Sequence, residues 1–318
     1  MKRVLTALCL SLVLALPAHA QETFTKNVKI IVPFAAGGGI DVTIRMMTDL
    51  VPKYLDGKQL VVENLPGGGA VIGLTTASKA KPDGYTLVTF APSTLTNPLT
   101  KKTSFTKESF IPVILYCFDP TIIVVNKDSR IKDLKGLVAK AKAGPISIST
   151  AGHSNMQHLC GMQLEKQLGL KFNYVHAASG GAQLPQILGG HVDAALMSLG
   201  EVASYLQDGS LRCVGLASDK EYPGFPAMDR LSSAGFKVGS SGAEWGSSRG
   251  ICAIAGTPEP MLKALEKAFL GMVNDPAYVE RMNKGGYPLQ VLNTKEFTQL
   301  YEDLNEVLKE TVSSLGQQ

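Results

Sequence analysis

The sequence predicts an α/β protein made of two α/β halves, and three observations support this. Short β-branched runs alternate with segments whose apolar residues recur at helical spacing. A strand, a loop of small residues and a helix follow one another three times, beginning near residues 29, 146 and 172. At 318 residues, with 45% hydrophobic and 18% charged residues, the chain is long enough for two domains and has a globular composition.

The first 20 residues are predicted to form a signal peptide that is not part of the fold. Lys2 and Arg3 precede an apolar core over residues 4–16, and Ala18-His19-Ala20 forms an A-x-A cleavage site. The core is too short to span a bilayer. We therefore expect export to the periplasm. Cys9 raises the alternative of a lipid anchor, although Leu8 stands where a small residue would be expected.

The first repeated unit covers residues 29–54. Residues 29–33 are typical of a buried strand, and a helix is predicted from Asp41 to Tyr54. Gly37, Gly38 and Gly39 join them, and a glycine loop before a helix N-terminus can bind an anion. A tight turn with Asp41 as the helix N-cap is the alternative, and it is favoured for one such loop alone. The recurrence of the arrangement favours binding.

Further strands and helices are predicted by the same patterns. Strands are expected at 59–64, 85–90, 121–125, 146–149, 172–175, 191–197, 211–217 and 250–255. Helices are expected up to Lys79 and at 133–143, 156–168, 182–188, 258–274, 276–283 and 294–315. Residues 95–112 are predicted to be irregular. Crossovers between the halves are expected near 118–123 and 245–252, and the C-terminal helices are expected to pack on the first half.

Three loops of small residues, 34–41, 149–158 and 176–183, follow presumed parallel strands, where open α/β sheets bind ligands. They contain no Lys or Arg. An anion would then be held by backbone N–H groups, hydroxyls and helix dipoles, without a charged side chain. Such a site suits a small carboxylate.

Several other functions are disfavoured by the composition and motifs. The formal charge of +4 becomes about +2 once Lys2 and Arg3 are removed, so we expect no nucleic-acid partner. Walker, H-E-x-x-H and EF-hand motifs are absent from the sequence, and residues 67–73 are only a degenerate dinucleotide fingerprint. Residues 246–250 match G-x-S-x-G, but a strand follows where a nucleophile elbow needs a helix. We expect no catalytic residue and no cofactor.

Histidines and cysteines do not suggest a metal site by their spacing. His153 and His158 flank a predicted helix start, His176 lies in a glycine loop and His191 begins a strand. We predict no metal ligand among them. The four cysteines after the signal peptide are expected to be buried thiols, but an oxidising compartment permits a disulfide, for which Cys117 and Cys252 are the first candidates.

Several motifs together resemble those of one family. Residues 33–41 read PFAAGGGID, residues 61–69 read VVENLPGGG, and PDGYTL, LGGHVD and GTP follow at 82–87, 188–193 and 256–258. The chain resembles the substrate-binding proteins of the tripartite tricarboxylate transporter family, the Bug or TctC-like receptors. The resemblance covers essentially the whole chain after residue 20.

This resemblance implies a periplasmic Venus flytrap of the type II-like binding-protein class, with two α/β lobes joined by a two-segment hinge. Residues 21–121 and 250–318 would form lobe 1 and residues 122–249 lobe 2. A monomeric receptor would deliver a small carboxylate to the membrane permease subunits. Carried over by position, the implied ligand-binding residues are Ala36, Gly37, Gly38, Asp41, Ser93, Thr94, Thr150, Asn155, His158, Ser179, Gly180, Ser198 and Glu201.

The chain departs from the family pattern at two places. Ser154 to His158 replaces the frequent G-S-x-x-H, and Ala177 to Gly180 replaces Y-K-G-G. The loss of the Tyr and Lys positions makes a dicarboxylate or an aromatic acid as plausible as a tricarboxylate. An exported hydrolase and a sensor that signals to a membrane receptor stay as alternatives.

Overall fold

Strands and helices alternate along the chain in the computed structural model, which describes residues 24–153, 155–222, 225, 227–238 and 245–315. The predicted signal peptide lies outside these ranges. The strands are β1 (Val28–Val32), β2 (Leu60–Asn64), β3 (Thr86–Phe90), β4 (Phe110–Asn126), β5 (Ile146–Thr150), β6 (Phe172–His176), β7 (Ala194–Ser198), β8 (Leu211–Leu216), β9 (Gly246–Ile254) and β10 (Leu289–Leu292). The helices are α1 (Gly39–Arg45), α2 (Val71–Ser78), α3 (Ser93–Thr100), α4 (Leu134–Ala143), α5 (Met156–Leu168), α6 (Gly180–Leu188), α7 (Ala203–Gln207), α8 (Glu259–Val273), α9 (Pro276–Lys284) and α10 (Thr294–Leu315).

The strands form one sheet that contains two parallel groups. Its order is β2-β1-β3-β9-β4-β7-β5-β6, and β8 and β10 also pair with β4. β1 is parallel to β2 and β3, and β5 is parallel to β6 and β7. Each group and its helices make one lobe, because parallel strands require helical crossovers that cover the sheet.

β4 connects the two lobes. Its residues 110–120 pair with β9, whereas residues 121–126 pair with β7 and β8. β9 in turn pairs with β3 in lobe 1. The lobes are thus joined by continuous strand, and the lobe boundaries set out above stay a prediction.

The C-terminal helices pack on lobe 1, as predicted. Phe297 of α10 contacts Phe90 of β3 edge to face, with 5.1 Å between ring centroids. On the other face of the sheet, Leu265 and Phe269 of α8 share a hydrophobic cluster with Ile30 of β1. Both faces of lobe 1 are therefore covered, which explains why its central strands β1 and β3 are mostly buried and rich in apolar residues.

The predicted helix from Asp41 to Tyr54 is wrong in length. α1 ends at Arg45, and Val51–Lys53 forms a separate 3₁₀ turn. Pro52 has no N–H to donate and clashes with the preceding turn of an α-helix, so a continuous helix is unfavourable there.

Residues 95–112 are not irregular. α3 covers Ser93–Thr100 despite Pro98 in its interior, and β4 already begins at Phe110. The Asn97 side chain donates to the Gly69 carbonyl at 2.8 Å, so tertiary contacts stabilise a segment with weak helix propensity. β10 was not predicted, and β7 begins at Ala194 rather than His191.

Cys117 and Cys252 do not form the suggested disulfide. Both are free and buried. Cys252 belongs to the cluster that contains Phe90 and Phe297, whereas Cys117 belongs to the cluster that contains Ile30 and Leu265. The two thiols thus lie on opposite faces of the sheet, which a disulfide cannot bridge.

Among the described residues, no helix is both long enough and apolar enough to cross a membrane.

Candidate ligand-binding cavity

A cavity of about 80 Å³ lies where the two lobes meet. That volume exceeds the roughly 10–15 Å³ needed for one water, so the cavity can hold a small ligand. Its walls include apolar side chains from lobe 1, such as Phe34 and Ile40, and Met156 from lobe 2. The predicted site residues in its wall are Gly38, Ser93, Asn155, Ser179, Gly180, Ser198 and Glu201. The predicted residues that do not line it are Ala36, Gly37, Asp41, Thr94, Thr150 and His158.

Asp41 is not the N-cap of α1. The N-cap is Gly38, and Asp41 lies in the first turn. Its carboxylate accepts the N–H of Gly37 at 2.9 Å, Nε of Arg45 at 2.9 Å and Nδ2 of Asn64 at 2.9 Å. Burial would raise the pKa of Asp41, but these bonds outweigh it and the pKa is lowered. The charge of Asp41 is thus already compensated, and the side chain holds the glycine loop.

Two further predicted site residues begin helices. Asn155 is the N-cap of α5, and its Oδ1 accepts the N–H of His158 at 2.9 Å. Ser179 is the N-cap of α6, and its Oγ accepts the N–H of Ala182 at 3.3 Å. Both line the cavity while they stabilise the helix starts.

Arg249 lines the cavity from β9 and was missed in the sequence. Its side chain is 1% exposed, and Nη2 bonds Oδ2 of Asp119 on β4 at 2.5 Å. Nε and Nη1 are buried and have no hydrogen-bond partner among the described residues. The three loops supply no cationic side chain, but Arg249 adds one to the cavity wall from a strand outside them.

The surroundings of Arg249 keep it charged. Burial disfavours the guanidinium, but attraction by Asp119 outweighs this and raises the pKa of Arg249. Burial raises the pKa of Asp119 to about 6, opposed by Arg249. The Tyr287 ring also lies 5.0 Å from Cζ, a cation–π contact. A buried cation with unpartnered nitrogens can donate charge-assisted hydrogen bonds to an anion such as a carboxylate.

Glu201 faces the same cavity from lobe 2. It lies in the 3₁₀ turn Leu199–Val202 after β7. Its Oε1 accepts the N–H of Gly39 in lobe 1 at 3.1 Å, and its Oε2 is buried without a partner in the described part of the chain. The cavity therefore contains a cation and a separate acceptor.

Glycine is required beside both charged groups. A Cβ at Gly39 would lie 2.5 Å from Nη2 of Arg249, and a Cβ at Gly180 would lie 2.2 Å from Oε2 of Glu201. These distances are shorter than any real carbon contact, so the two glycines make room for the two side chains.

Hydroxyl groups add neutral polar contacts. Oγ of Ser93 is buried and finds no partner among the described atoms. Oγ of Ser198 accepts from Nε2 of Gln157 at 3.3 Å and keeps its own proton for another partner. Ser93 belongs to lobe 1 and Ser198 to lobe 2, so a ligand between them would contact both lobes.

Three histidines come together beside the cavity, contrary to the sequence-based expectation. The ligand atoms of His153, His158 and His176 all lie within 4.8 Å of one another. Thr150, a predicted site residue, bonds Nδ1 of His176 through Oγ1 at 2.7 Å. Burial lowers the pKa of His158 to about 4, with further contributions from His176 and His153. The cluster arises because β5 and β6 are paired, which spacing along the chain does not reveal.

The G-x-S-x-G match has no nucleophile geometry, as predicted. Gly246 to Gly250 lie within β9, so Ser248 is part of a regular strand rather than a sharp turn before a helix.

Two lobes around a cavity, joined by continuous strands, are the architecture of a Venus flytrap solute-binding protein. The model of the tripartite tricarboxylate transporter family receptor matches residues 43–316, and the chain belongs to this family. It is 28% identical over 232 residues to protein BugT of Bordetella pertussis, covering 70% of this chain and 70% of that protein.

Solved structures show the same fold. The periplasmic binding protein BugD is 27% identical, with a TM-score of 0.83 over 92% of this chain and 98% of that one. A TctC solute-binding protein from Polaromonas, solved without ligand, is also 27% identical, with a TM-score of 0.70 over 91% of this chain and 99% of that one.

Proposed function

We propose that the protein is a periplasmic receptor that captures a small carboxylate between its lobes and delivers it to a tripartite tricarboxylate-type membrane permease. The observation that carries this proposal is the Arg249 guanidinium, buried in the cavity wall with Nε and Nη1 unpartnered among the described residues. Leaving these donors buried and unsatisfied is costly, so an anion that accepts a hydrogen bond from either of them is bound favourably. The role is binding, without chemical change of the ligand.

Lobe closure would follow from contacts on both sides. Arg249 shares the cavity wall with Ser93 of lobe 1 and Ser198 of lobe 2. The ligand gains all of these contacts in the closed form alone, so it shifts the population toward closure. The closed form would be the one that the permease recognises, and the family membership supports this partner.

Glu201 narrows the ligand class. Its buried Oε2 needs a hydrogen-bond donor, and a second ligand carboxylate would be repelled there. We therefore propose an acid with a hydroxyl or amino group near its carboxylate. A hydroxy or amino dicarboxylate fits better than an unsubstituted dicarboxylate, a tricarboxylate or an aromatic acid without donors.

The test compares succinate, malate and aspartate, which share one carbon skeleton, by isothermal titration calorimetry. We expect malate or aspartate to bind at least tenfold more tightly than succinate, and Arg249→Met to abolish binding of all three. Because Arg249 is buried, circular dichroism must show that the variant is folded, and Arg249→Lys serves as the charge-conserving comparison. Unchanged affinity in folded R249M would refute the proposed site.

Delivery to a permease is tested in cells. Deletion of the receptor should abolish uptake of the bound acid, and the wild-type gene but not R249M should restore it. Normal uptake without the receptor would contradict the transport role and favour a sensory one.

A further inference from the structure

The histidine cluster beside the cavity has the chemistry of a metal site. His153 follows β5, His158 lies in the first turn of α5 and His176 ends β6. The ring centroids are 4.8 Å apart for His153 and His158, 5.3 Å for His153 and His176, and 4.7 Å for His158 and His176. Three separate segments of the chain thus bring three imidazoles to one point.

We propose that His153, His158 and His176 bind one divalent transition-metal ion, of the class of Zn²⁺, Ni²⁺ or Cu²⁺. Imidazole nitrogen is a preferred ligand for these ions, whereas Ca²⁺ and Mg²⁺ prefer oxygen. The three ligands all belong to lobe 2, and they are different residues from those proposed to hold the carboxylate.

The distances are compatible with a bound ion after a small movement. With metal–nitrogen bonds of about 2.1 Å, tetrahedral ligand atoms lie roughly 3.4 Å apart. The ligand atoms in the structure lie within 4.8 Å of one another, so loading requires them to approach by up to about 1.4 Å. His153 and His176 are exposed and can make this adjustment, whereas His158 is buried.

One ligand is already oriented in the manner common to metal sites. The bond between Nδ1 of His176 and Oγ1 of Thr150 fixes the ring and leaves Nε2 for the ion. Two of the three histidines are exposed, so water can occupy the fourth position around the ion. Structural zinc sites, in contrast, usually have four protein ligands.

The metal site would adjoin the wall of the carboxylate cavity. Asn155, Met156 and Gln157 line the cavity, and they lie between His153 and His158 in the chain. An ion that joins the two flanking histidines would restrain this segment. Metal binding is therefore expected to change the affinity for the carboxylate, a coupling that is reciprocal by linkage.

The experiment uses the untagged chain after chelator treatment, titrated with ZnCl₂ and NiCl₂ by calorimetry and with CoCl₂ by visible absorption. We expect one ion per chain, cobalt bands with imidazole ligation, and at least tenfold weaker binding in His153→Ala and His176→Ala. His191→Ala, at an exposed histidine away from the cluster, should bind as the wild type does. The two exposed positions keep the test valid if His158→Ala fails to fold.

Wild-type metal affinity in both H153A and H176A would overturn the proposal, as would equal loss in H191A or the absence of binding to the wild type. None of these results depends on the carboxylate, so the two proposals fail separately.

Discussion

Glu201 of lobe 2 accepts a hydrogen bond from the backbone N–H of Gly39 in lobe 1, with 3.1 Å between nitrogen and Oε1. The bond crosses the boundary between the lobes beside the cavity. The Glu201 carboxylate is thus held close to Arg249, whose guanidinium we propose binds the ligand. Glu201 also contributes to raising the pKa of Arg249. We therefore expect Glu201 to influence which acids bind.

Glu201→Gln should reverse the preference among four-carbon acids. Removing the charge removes the repulsion of a second carboxylate. At a separation of about 10 Å and an effective dielectric constant near 20, this repulsion is about 1.7 kcal/mol, or roughly fifteenfold in affinity. Calorimetry should therefore show tighter succinate binding and weaker aspartate binding. Parallel changes for both acids would contradict the assigned role.

Gly39→Ala should weaken carboxylate binding through Arg249. The new Cβ would meet Nη2 at 2.5 Å and Cζ at 2.8 Å, so the guanidinium must leave its present position. We expect at least a tenfold rise in the dissociation constant, measured by calorimetry. Gly144→Ala is the matched control, since a Cβ there meets no atom within 4 Å. Equal affinity in the two variants would contradict this explanation.

Much of the fold could be predicted because its signals are local. Ile146–Thr150 and Met156–Leu168 have the apolar spacing of a buried strand and a helix, and their bounds agree with the prediction to within one residue. α3 was missed because Thr and Pro weaken its propensity, while the contact that stabilises it, from Asn97 to Gly69, is distant in the chain.

The chemistry of the cavity was harder to predict, because its main polar groups interact with residues that are far away in the sequence. Arg249 follows two serines and precedes a glycine, a pattern that indicates a loop, and its partner Asp119 lies 130 residues away. A charged residue beside the buried run Ile251 to Ile254 was the one available signal. The histidines likewise meet through strand pairing, which one sequence without relatives does not display.

Asp119→Ala should destabilise the fold strongly. It leaves Arg249 as an uncompensated buried charge and removes the acceptor of the Gly200 N–H. The expected loss in free energy of unfolding is about 3–5 kcal/mol, measured by urea denaturation. The exposed pair of Glu259 and Lys263 offers the control, because Glu259→Gln should change the free energy of unfolding only slightly. A similar small loss in both variants would contradict the importance of the buried pair.

Asp41→Asn should destabilise the protein in a pH-dependent way. The pKa of Asp41 is lowered in the fold, so its carboxylate stabilises the native state above the unfolded pKa of about 3.9. That contribution is lost as the pH falls through the lower folded-state pKa. Because the carboxylate accepts from Gly37, Arg45 and Asn64, we expect the variant to lose about 2 kcal/mol at neutral pH. Guanidinium denaturation at several pH values should show the difference from wild type shrinking below about pH 4, and a constant difference would contradict the prediction.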